Sequence, residues 1–203
     1  VNAIGSFQLS QLNSSSVQSK LKAAGINTNS KQYKAAVKQM MSAGNGAMYG
    51  NIQGIKNLMS HYDKDGDYIN PVNGLAGLLV TDENESSRKR IISIPDSSKE
   101  EMYELTKKEF LRENGVHNGD TTKRTDVYNN LYRKMSKKDR LAAGYTLEKY
   151  ERIYRQAFYD AAKKADPNWE IGKPIKDGAL DSVTRELAES GKSPAQATLD
   201  TKI

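Results

Sequence analysis

The chain contains one stretch of unusual chemistry, His61-Tyr62-Asp63-Lys64-Asp65-Gly66-Asp67-Tyr68-Ile69-Asn70. It places three aspartates at alternate positions around Gly66, a residue type that readily forms tight turns. The stretch follows a helical apolar pattern formed by Met48, Ile52, Ile55 and Met59. Because a curled cation-binding loop turns every second side chain inward, the spacing predicts that the three carboxylates converge.

The stretch resembles the calcium loop of an EF-hand, in which oxygen ligands come from positions 1, 3, 5, 7, 9 and 12. Its three aspartates match positions 1, 3 and 5, but the glycine usual at position 6 is missing. Tyr68 then supplies the backbone carbonyl of position 7, and Ile69 takes the apolar position 8. The resemblance implies a ligand set of Asp63, Asp65, Asp67, Tyr68, Asn70 and Asn73.

The last position of the loop departs from the EF-hand pattern. Asn73 stands near position 12, where the family uses a bidentate glutamate. Losing that ligand lowers the charge and the coordination number, so we expect millimolar to sub-millimolar calcium affinity. Such a site is useful where calcium is abundant, which favours an extracellular or cell-surface protein over a cytoplasmic one.

A plain polar turn is the alternative, because aspartate and glycine are common in turns without any metal. Against it, three carboxylates this close repel one another, and only Lys64 offers a nearby positive charge. The segment after the loop holds Gly74 and Gly77, too flexible for a rigid lever. A bound ion is therefore expected to stabilise structure rather than to switch it.

The composition of the chain excludes several kinds of site and segment. The 203 residues are 36% hydrophobic and 28% charged, with a net charge of +6 and a mean hydropathy of −0.76. The absence of cysteine excludes disulfides, thiolate zinc sites and cysteine nucleophiles. No apolar run approaches the roughly 18 residues of a membrane span. No catalytic or nucleotide-binding motif is present, so the chain is predicted not to be an enzyme.

Apolar spacing predicts a mainly α fold, a multi-helix bundle with a small β-hairpin or short strand element. After Asn70 and Pro71 the pattern favours a short exit helix, with a strand at 78–80 as the alternative. A strand at 91–94 would complete a small hairpin with it. The predicted helices span 14–24, 30–42, 47–60, 98–112, 122–135, 146–165 and 177–189.

The polar segment 81–90 is the predicted boundary between two regions. It separates an N-terminal helical region, residues 1–80, from a C-terminal helical bundle, residues 91–190. Residues 191–203 are small and polar and are expected to form a mobile tail. A single compact domain is the alternative.

Basic residues cluster around the fifth predicted helix and suggest a second function. Phosphate contacts could make the chain an intracellular nucleic-acid-associated helical protein. However, Tyr128 and Tyr132 share a helical stripe with Val127 and Leu131, which predicts core packing rather than base stacking. The basic residues of this alternative are Lys123, Arg124, Arg133, Lys134, Lys137, Lys138 and Arg140.

Two segments resemble an uncharacterised domain family of Gram-positive bacteria: 15–27, and 48–77, which includes the acidic stretch. The resemblance implies a bacterial, exported, non-catalytic protein and brings no catalytic residues with it. The sequence thus predicts a structural or interaction module stabilised by a weak calcium site at 63–73. Its partner would be a protein of unknown identity, with nucleic acid as the alternative.

Overall fold

The computed structural model describes residues 6–44, 49–117 and 121–191. The chain divides into two compact units, unit 1 (Val1–Leu79) and unit 2 (Val80–Ile203). In the described residues it is mainly helical with a two-stranded antiparallel sheet, which confirms the predicted fold class. None of the helices described has the length and apolar character that crossing a membrane requires.

Unit 1 is built from two short strands and three helices. The strands pair antiparallel, with Phe7 opposite Gly50. A short 3-10 helix, Leu9–Gln11, follows the first strand. The elements are β1 (Ser6–Gln8), α1 (Ser15–Ala23), α2 (Lys31–Ala43), β2 (Tyr49–Asn51) and α3 (Ile52–Met59).

The first two helices begin where their capping residues predict. The Ser14 hydroxyl accepts a hydrogen bond from the backbone N–H of Val17 at 3.3 Å, and Ser30 accepts one from Tyr33 at 3.1 Å. Each bond satisfies one of the amide groups that a helix leaves unpaired at its start. Gly25 follows α1 with a φ of +81°, a conformation that suits glycine.

The third helix is shorter than predicted, because residues 49–51 form β2 instead of its first turns. Asn51 caps the helix, accepting a hydrogen bond from the N–H of Gly54 at 2.7 Å. At Gly50 the sheet lies close to the side chains of Phe7 and Leu9, where a Cβ would come within 3.2 Å of Leu9. Met48, which the predicted helix included, lies outside the described residues.

The N-terminal segment contributes to the core of unit 1, although its sequence suggested only an extended arm. Its apolar side chains are buried against residues of all three helices. The buried cluster consists of Phe7, Leu12, Val17, Leu21, Ile26, Tyr33 and Ile55.

The predicted exit helix after Pro71 does not form, and neither does the strand at 78–80. One turn closes instead, with the N–H of Gly74 donating to the carbonyl of Asn70 at 2.8 Å. Gly74 and Gly77 then adopt φ values of +71° and +82°, which interrupt any helix. A single antiparallel bridge joins Ile69 to Ala76.

Unit 2 is a helical bundle in which three helices pack against one another: α5 (Asp96–Arg112), α6 (Thr121–Lys134) and α7 (Arg140–Ala165). A 3-10 turn, Lys137–Asp139, leads into the longest helix. Asn114, with a φ of +51°, and Gly115 follow the C-terminal end of α5. The helices are α4 (Glu85–Arg88), α5 (Asp96–Arg112), α6 (Thr121–Lys134), α7 (Arg140–Ala165) and α8 (Arg185–Ser190).

The predicted strand at 91–94 is wrong, and Thr146 explains the difference. The N–H of Ile92 donates to the Thr146 hydroxyl at 3.0 Å, and that hydroxyl donates to the carbonyl of Arg90 at 3.2 Å. The segment is therefore bonded to a side chain of α7 rather than to another strand. Thr146, where the predicted helix began, is fully buried inside α7, which begins at Arg140.

Gly144 lies inside α7. A Cβ added there would lie 2.7 Å from the hydroxyl oxygen of Tyr132. The glycine therefore makes room for the tyrosine of α6, and its role is close packing rather than termination.

The two remaining helix starts differ from their predictions. α5 begins at Asp96, and Ser98, expected near the cap, is fully buried inside it. α8 is only six residues long, and Thr184 caps it through the N–H of Leu187 at 3.1 Å. Leu187 was expected to face the core but is 62% exposed. The turn predicted at 118–119 and the tail from 192 lie outside the described residues.

The core of unit 2 is rich in aromatic rings. Trp169 is 2% exposed and lies 6.0 Å from Phe110 and 5.7 Å from Tyr159, measured between ring centroids. Its indole N–H donates to the carbonyl of Lys173 at 2.8 Å, which satisfies the polar edge of a buried ring. Trp169 thus packs against α7, whereas Ile171 is exposed.

Candidate metal centre

The structure brings the three aspartates of the acidic loop together. One carboxylate oxygen from each of Asp63, Asp65 and Asp67 lies within 4.8 Å of the other two. Two oxygens on opposite sides of a calcium ion, each about 2.4 Å from it, are about 4.8 Å apart. The cluster therefore has the span of a calcium coordination shell.

The charge distribution of unit 1 makes this cluster distinctive. No other aspartate or glutamate occurs in the first 79 residues of the chain, so every carboxylate side chain of unit 1 belongs to residues 63–67. Acidic residues on an ordinary solvated surface are interspersed with basic ones. Here they are confined to one loop, where mutual repulsion is greatest.

Backbone hydrogen bonds curl the loop around the Asp63 carboxylate. Its Oδ1 accepts from the N–H of Asp65 at 3.0 Å and from the N–H of Asp67 at 2.9 Å. The carbonyl of Asp63 accepts from the N–H of Gly66 at 2.9 Å, and the glycine has a φ of +82°. This curl is the geometry that the alternate spacing predicted.

The loop is attached to the side of α2. A Cβ added at Gly66 would come within 3.0 Å of the carbonyl oxygen of Lys31, so only glycine allows this approach. The Gln32 side chain donates to the carbonyl of Tyr62 at 2.8 Å. The Tyr62 hydroxyl in turn donates to the side-chain oxygen of Gln39. These contacts hold the acidic loop along two turns of the helix.

A short antiparallel closure joins the two ends of the loop. Tyr62 and Tyr68 form an isolated bridge, and their rings meet edge to face with centroids 5.9 Å apart. The N–H of Ile69 donates to the carbonyl of His61 at 2.8 Å. Burial, together with the neighbouring Tyr68, raises the pKa of the Tyr62 hydroxyl, so it remains protonated. The bridge and this hydrogen bond therefore close the base of the loop.

The two predicted asparagine ligands brace the turn that follows the loop. Asn70 Oδ1 accepts from the N–H of Val72 at 2.9 Å, and Asn73 Oδ1 accepts from the N–H of Leu75 at 3.0 Å. Both are turns in which a side-chain amide mimics the backbone. The structure thus brings the three aspartate side chains close together. The side chains of Asn70 and Asn73 instead stabilise the turn after the loop, and Tyr68 forms the bridge that closes the loop base.

Comparison with protein families identifies the chain at the level of a family. A family model described as "Domain of unknown function (DUF3879)" matches residues 26–203. The chain belongs to this family. No curated protein matches it, and no solved structure does. The DUF3879 match includes α2, the acidic loop and all of unit 2, whereas β1 and α1 precede it. The expected membership of an uncharacterised domain family is confirmed.

The basic residues of the alternative function do not form one surface in this DUF3879 chain. Arg124 is partly buried and paired with Glu109 and Glu151 inside the bundle. Arg140 donates from Nε to the carbonyl of Tyr132 at 3.1 Å. Lys134 contacts the Ser97 hydroxyl at 3.0 Å. Lys123, Arg133 and Lys138 are exposed, and Lys137 is partly buried.

The two tyrosines of that region pack inward, as their stripe predicted. Burial raises the pKa of Tyr132, and burial followed by the charge of Glu151 raises the pKa of Tyr128. Tyr128 packs against the core of unit 2, and Tyr132 fills the space above Gly144. Neither ring is presented as a platform for stacking bases.

Unit 2 contains a buried ionic network that was not predicted from the sequence. Arg124 of α6 contacts Glu109 of α5 and lies 2.9 Å from Glu151 of α7, which is also 3.7 Å from Arg155. Glu109 is only 3% exposed. The signal was present in the sequence, because Glu109, Arg124 and Glu151 interrupt the apolar stripes of their helices.

Proposed function

We propose that this DUF3879 chain is a non-catalytic structural or interaction module whose 63–73 loop is stabilised by a weakly bound calcium ion. The observation that carries the proposal is the convergence of the only three carboxylate side chains of unit 1 within 4.8 Å. Oxygen-only ligands suit hard cations such as calcium rather than softer transition metals.

The proposed ion stabilises the connection between two helices, α2 and α3. The loop follows α3 directly and is bonded to α2 through Gln32 and Gln39. Without a cation, the three carboxylates repel one another and strain this attachment. Calcium neutralises most of that charge and so stabilises the joint between α2 and α3.

The ligand set implies a low calcium affinity. Asn73 stands where an EF-hand has a bidentate glutamate, and its side-chain oxygen accepts a backbone hydrogen bond. We therefore propose millimolar to sub-millimolar affinity and an extracellular or cell-surface location, where calcium is abundant. A protein partner is the proposed interaction, since no element of the site suggests turnover of a substrate.

Thermal unfolding with calcium and with chelator tests the proposal. At a calcium concentration ten times Kd, binding stabilises the native state by about 1.4 kcal/mol. For a unit of this size the midpoint should rise by several degrees. Terbium luminescence sensitised by the Tyr62–Tyr68 pair measures binding directly. No shift at millimolar calcium and no calcium-displaceable terbium signal would refute the proposal.

A pair of matched variants locates the ion. Asp65→Ala removes one of the converging carboxylates and should abolish both the calcium-dependent shift and the terbium signal. Asp82→Ala removes an exposed aspartate outside the cluster and should leave both unchanged. An undiminished shift in Asp65→Ala would place the ion elsewhere.

A further inference from the structure

The last described helix of unit 2, α8, turns a charged face toward the bundle. Its half-buried side chains are Arg185, Ala188 and Glu189, and their i, i+3 and i+4 spacing places them on one face. Its largest apolar side chain, Leu187, is 62% exposed. A helix held by hydrophobic burial has the opposite arrangement, with its apolar stripe facing the core. Polar contacts therefore hold α8 in place, and the helix has no buried residue of its own.

Arg185 is the centre of these polar contacts. Its Nε donates to a carboxylate oxygen of Glu100 on α5 at 2.8 Å, and its Nη1 donates to Glu189 at 2.9 Å. Glu189 also accepts a hydrogen bond from the hydroxyl of Tyr154 on α7. The arginine side chain is only 20% exposed, and Asp96 adds a second acidic neighbour on α5 at 3.9 Å. Arg185 thus connects α8 to α5 directly and, through Glu189, to α7.

The segment just before α8 is attached differently. Leu180 is 2% exposed and belongs to the buried core of unit 2. The carbonyl of Val183 accepts a hydrogen bond from the Tyr103 hydroxyl at 2.9 Å. Thr184 follows in an extended conformation, with a φ of −119° and a ψ of 161°, and caps α8. The change from a segment anchored in the core to one held by surface polar groups therefore falls at Thr184.

We propose that residues 184–190 form a strap that opens about Thr184 as one unit while the rest of unit 2 stays folded. Arg185 holds this strap closed over the surface between α5 and α7. Opening removes Glu189 from the Tyr154 hydroxyl and exposes this tyrosine, which is fully buried when the strap is closed. The Tyr154 ring packs edge to face on Tyr103, with centroids 5.4 Å apart. The strap therefore controls whether this end of the aromatic core is covered or open to solvent.

The contacts of the strap favour its opening before the rest of the unit unfolds. Local openings are easiest where few buried apolar contacts are broken, and they occur well below the free energy of global unfolding. Opening the strap withdraws one half-buried alanine, whereas α7 contributes Leu147, Ile153 and Phe158 to the buried core. The remaining attachment is the set of hydrogen bonds made by Arg185. Because hydrogen bonds to charged groups are the stronger kind, their loss should raise the open population about 10- to 100-fold.

Native-state hydrogen exchange of the full chain, followed by NMR at single residues, tests the opening. The N–H of Leu187 donates to the Thr184 hydroxyl at 3.1 Å, and that of Ala188 donates to the Thr184 carbonyl at 2.9 Å. The amides from Leu187 to Ser190 should share one opening constant, at least about 100-fold above that of α7 amides near Ile153. Exchange that quickens residue by residue toward Ser190 would show fraying and would overturn the proposal. Strap amides that exchange only as fast as those of α7 would overturn it as well.

Three variants test whether Arg185 holds the strap closed. Arg185→Gln should raise the opening constant of the strap about 10- to 100-fold and leave α7 exchange unchanged. Glu100→Gln leaves α8 intact and should change the constant in the same direction. Arg152→Gln, the control, removes the same charge from an exposed pair with Glu148 and should change the constant less than about threefold. A rise confined to Arg185→Gln, an equal rise in Arg152→Gln, or no rise at all would refute the role of Arg185.

The exposure of Tyr154 is measured in a variant whose strap is mostly open. Arg185→Ala combined with Glu189→Ala removes both inward-facing charges of α8, and alanine preserves the helix propensity. Hydroxyl-radical footprinting with mass spectrometry should then label Tyr154 several-fold more than in the wild type. Phe158, fully buried in the same helix, should stay unlabelled. Unchanged labelling of Tyr154 while the strap amides exchange freely would contradict the proposal, and so would an equal rise at Phe158, which would mean that unit 2 unfolds.

Discussion

Replacing Arg124 with methionine removes the cation at the centre of the network that joins three helices of unit 2. Its guanidinium contacts Glu109 of α5 and lies 2.9 Å from Glu151 of α7. Both carboxylates are buried, with exposures below one tenth. Methionine replaces the aliphatic part of the arginine side chain and has a similar helix propensity, so the main change is the loss of the guanidinium group with its charge and hydrogen bonds.

The expected cost is about 3–5 kcal/mol, the range for a buried ion pair that loses one partner. Glu109 has no other described cation in contact, whereas Glu151 retains Arg155 at 3.7 Å. Most of the penalty therefore comes from Glu109, which keeps only a longer-range attraction to Arg155. A domain of ordinary stability has 5–15 kcal/mol in total, so the variant should be close to its limit.

Urea unfolding followed by tryptophan fluorescence measures this cost, because Trp169 is the single tryptophan and is buried in unit 2. Arg112→Met is the matched control, since Arg112 pairs with Glu113 at an exposed position of the bundle. Its cost should stay below about 1 kcal/mol. The double variant Arg124→Met, Glu109→Leu should recover much of the loss. Equal costs for Arg124→Met and Arg112→Met would refute the reasoning.

Three further changes address local features of the fold. Gly144→Ala should destabilise unit 2 by about 1–3 kcal/mol in urea unfolding, because the new methyl group collides with Tyr132, and an unchanged stability would show that the ring moves freely. Asn51→Ala should cost unit 1 about 1 kcal/mol by removing the α3 cap, as measured by thermal melting. His117 is an exposed residue, and its partial desolvation, reinforced by Arg155, lowers its pKa in the folded state, so stability should fall slightly as pH decreases through the ordinary histidine range. His117→Gln should lose that dependence, and an identical pH profile would contradict it.

Features encoded by neighbouring residues could be predicted from the sequence. Ser14 and Ser30 mark helix starts because a cap acts over three residues, and both were located correctly. The convergence of Asp63, Asp65 and Asp67 follows from alternate spacing in a curled loop, and the structure shows it. The loop could be recognised because its backbone bonds lie within five residues of one another.

Features that depend on distant partners were not predictable in the same way. β2 was read as helix because its pairing partner, β1, lies more than 40 residues earlier in the chain. The segment 91–94 looked like a strand, but its hydrogen-bond partner is the side chain of Thr146. The stripe position of Glu109 indicates burial, but its partner Arg124 lies on another helix, and only the packing of the helices shows that pair.

The pairing of β1 with β2 has a practical consequence for work with fragments. The family match begins at residue 26, and a recombinant fragment cut there would lack β1. Its β2 would then present an unpaired strand edge, and the surface that Phe7 and Leu12 cover would become exposed to solvent. Open strand edges beside apolar surface promote aggregation. Expression boundaries chosen from the family match alone would thus yield an insoluble fragment, whereas a start before Ser6 keeps the strand pair intact.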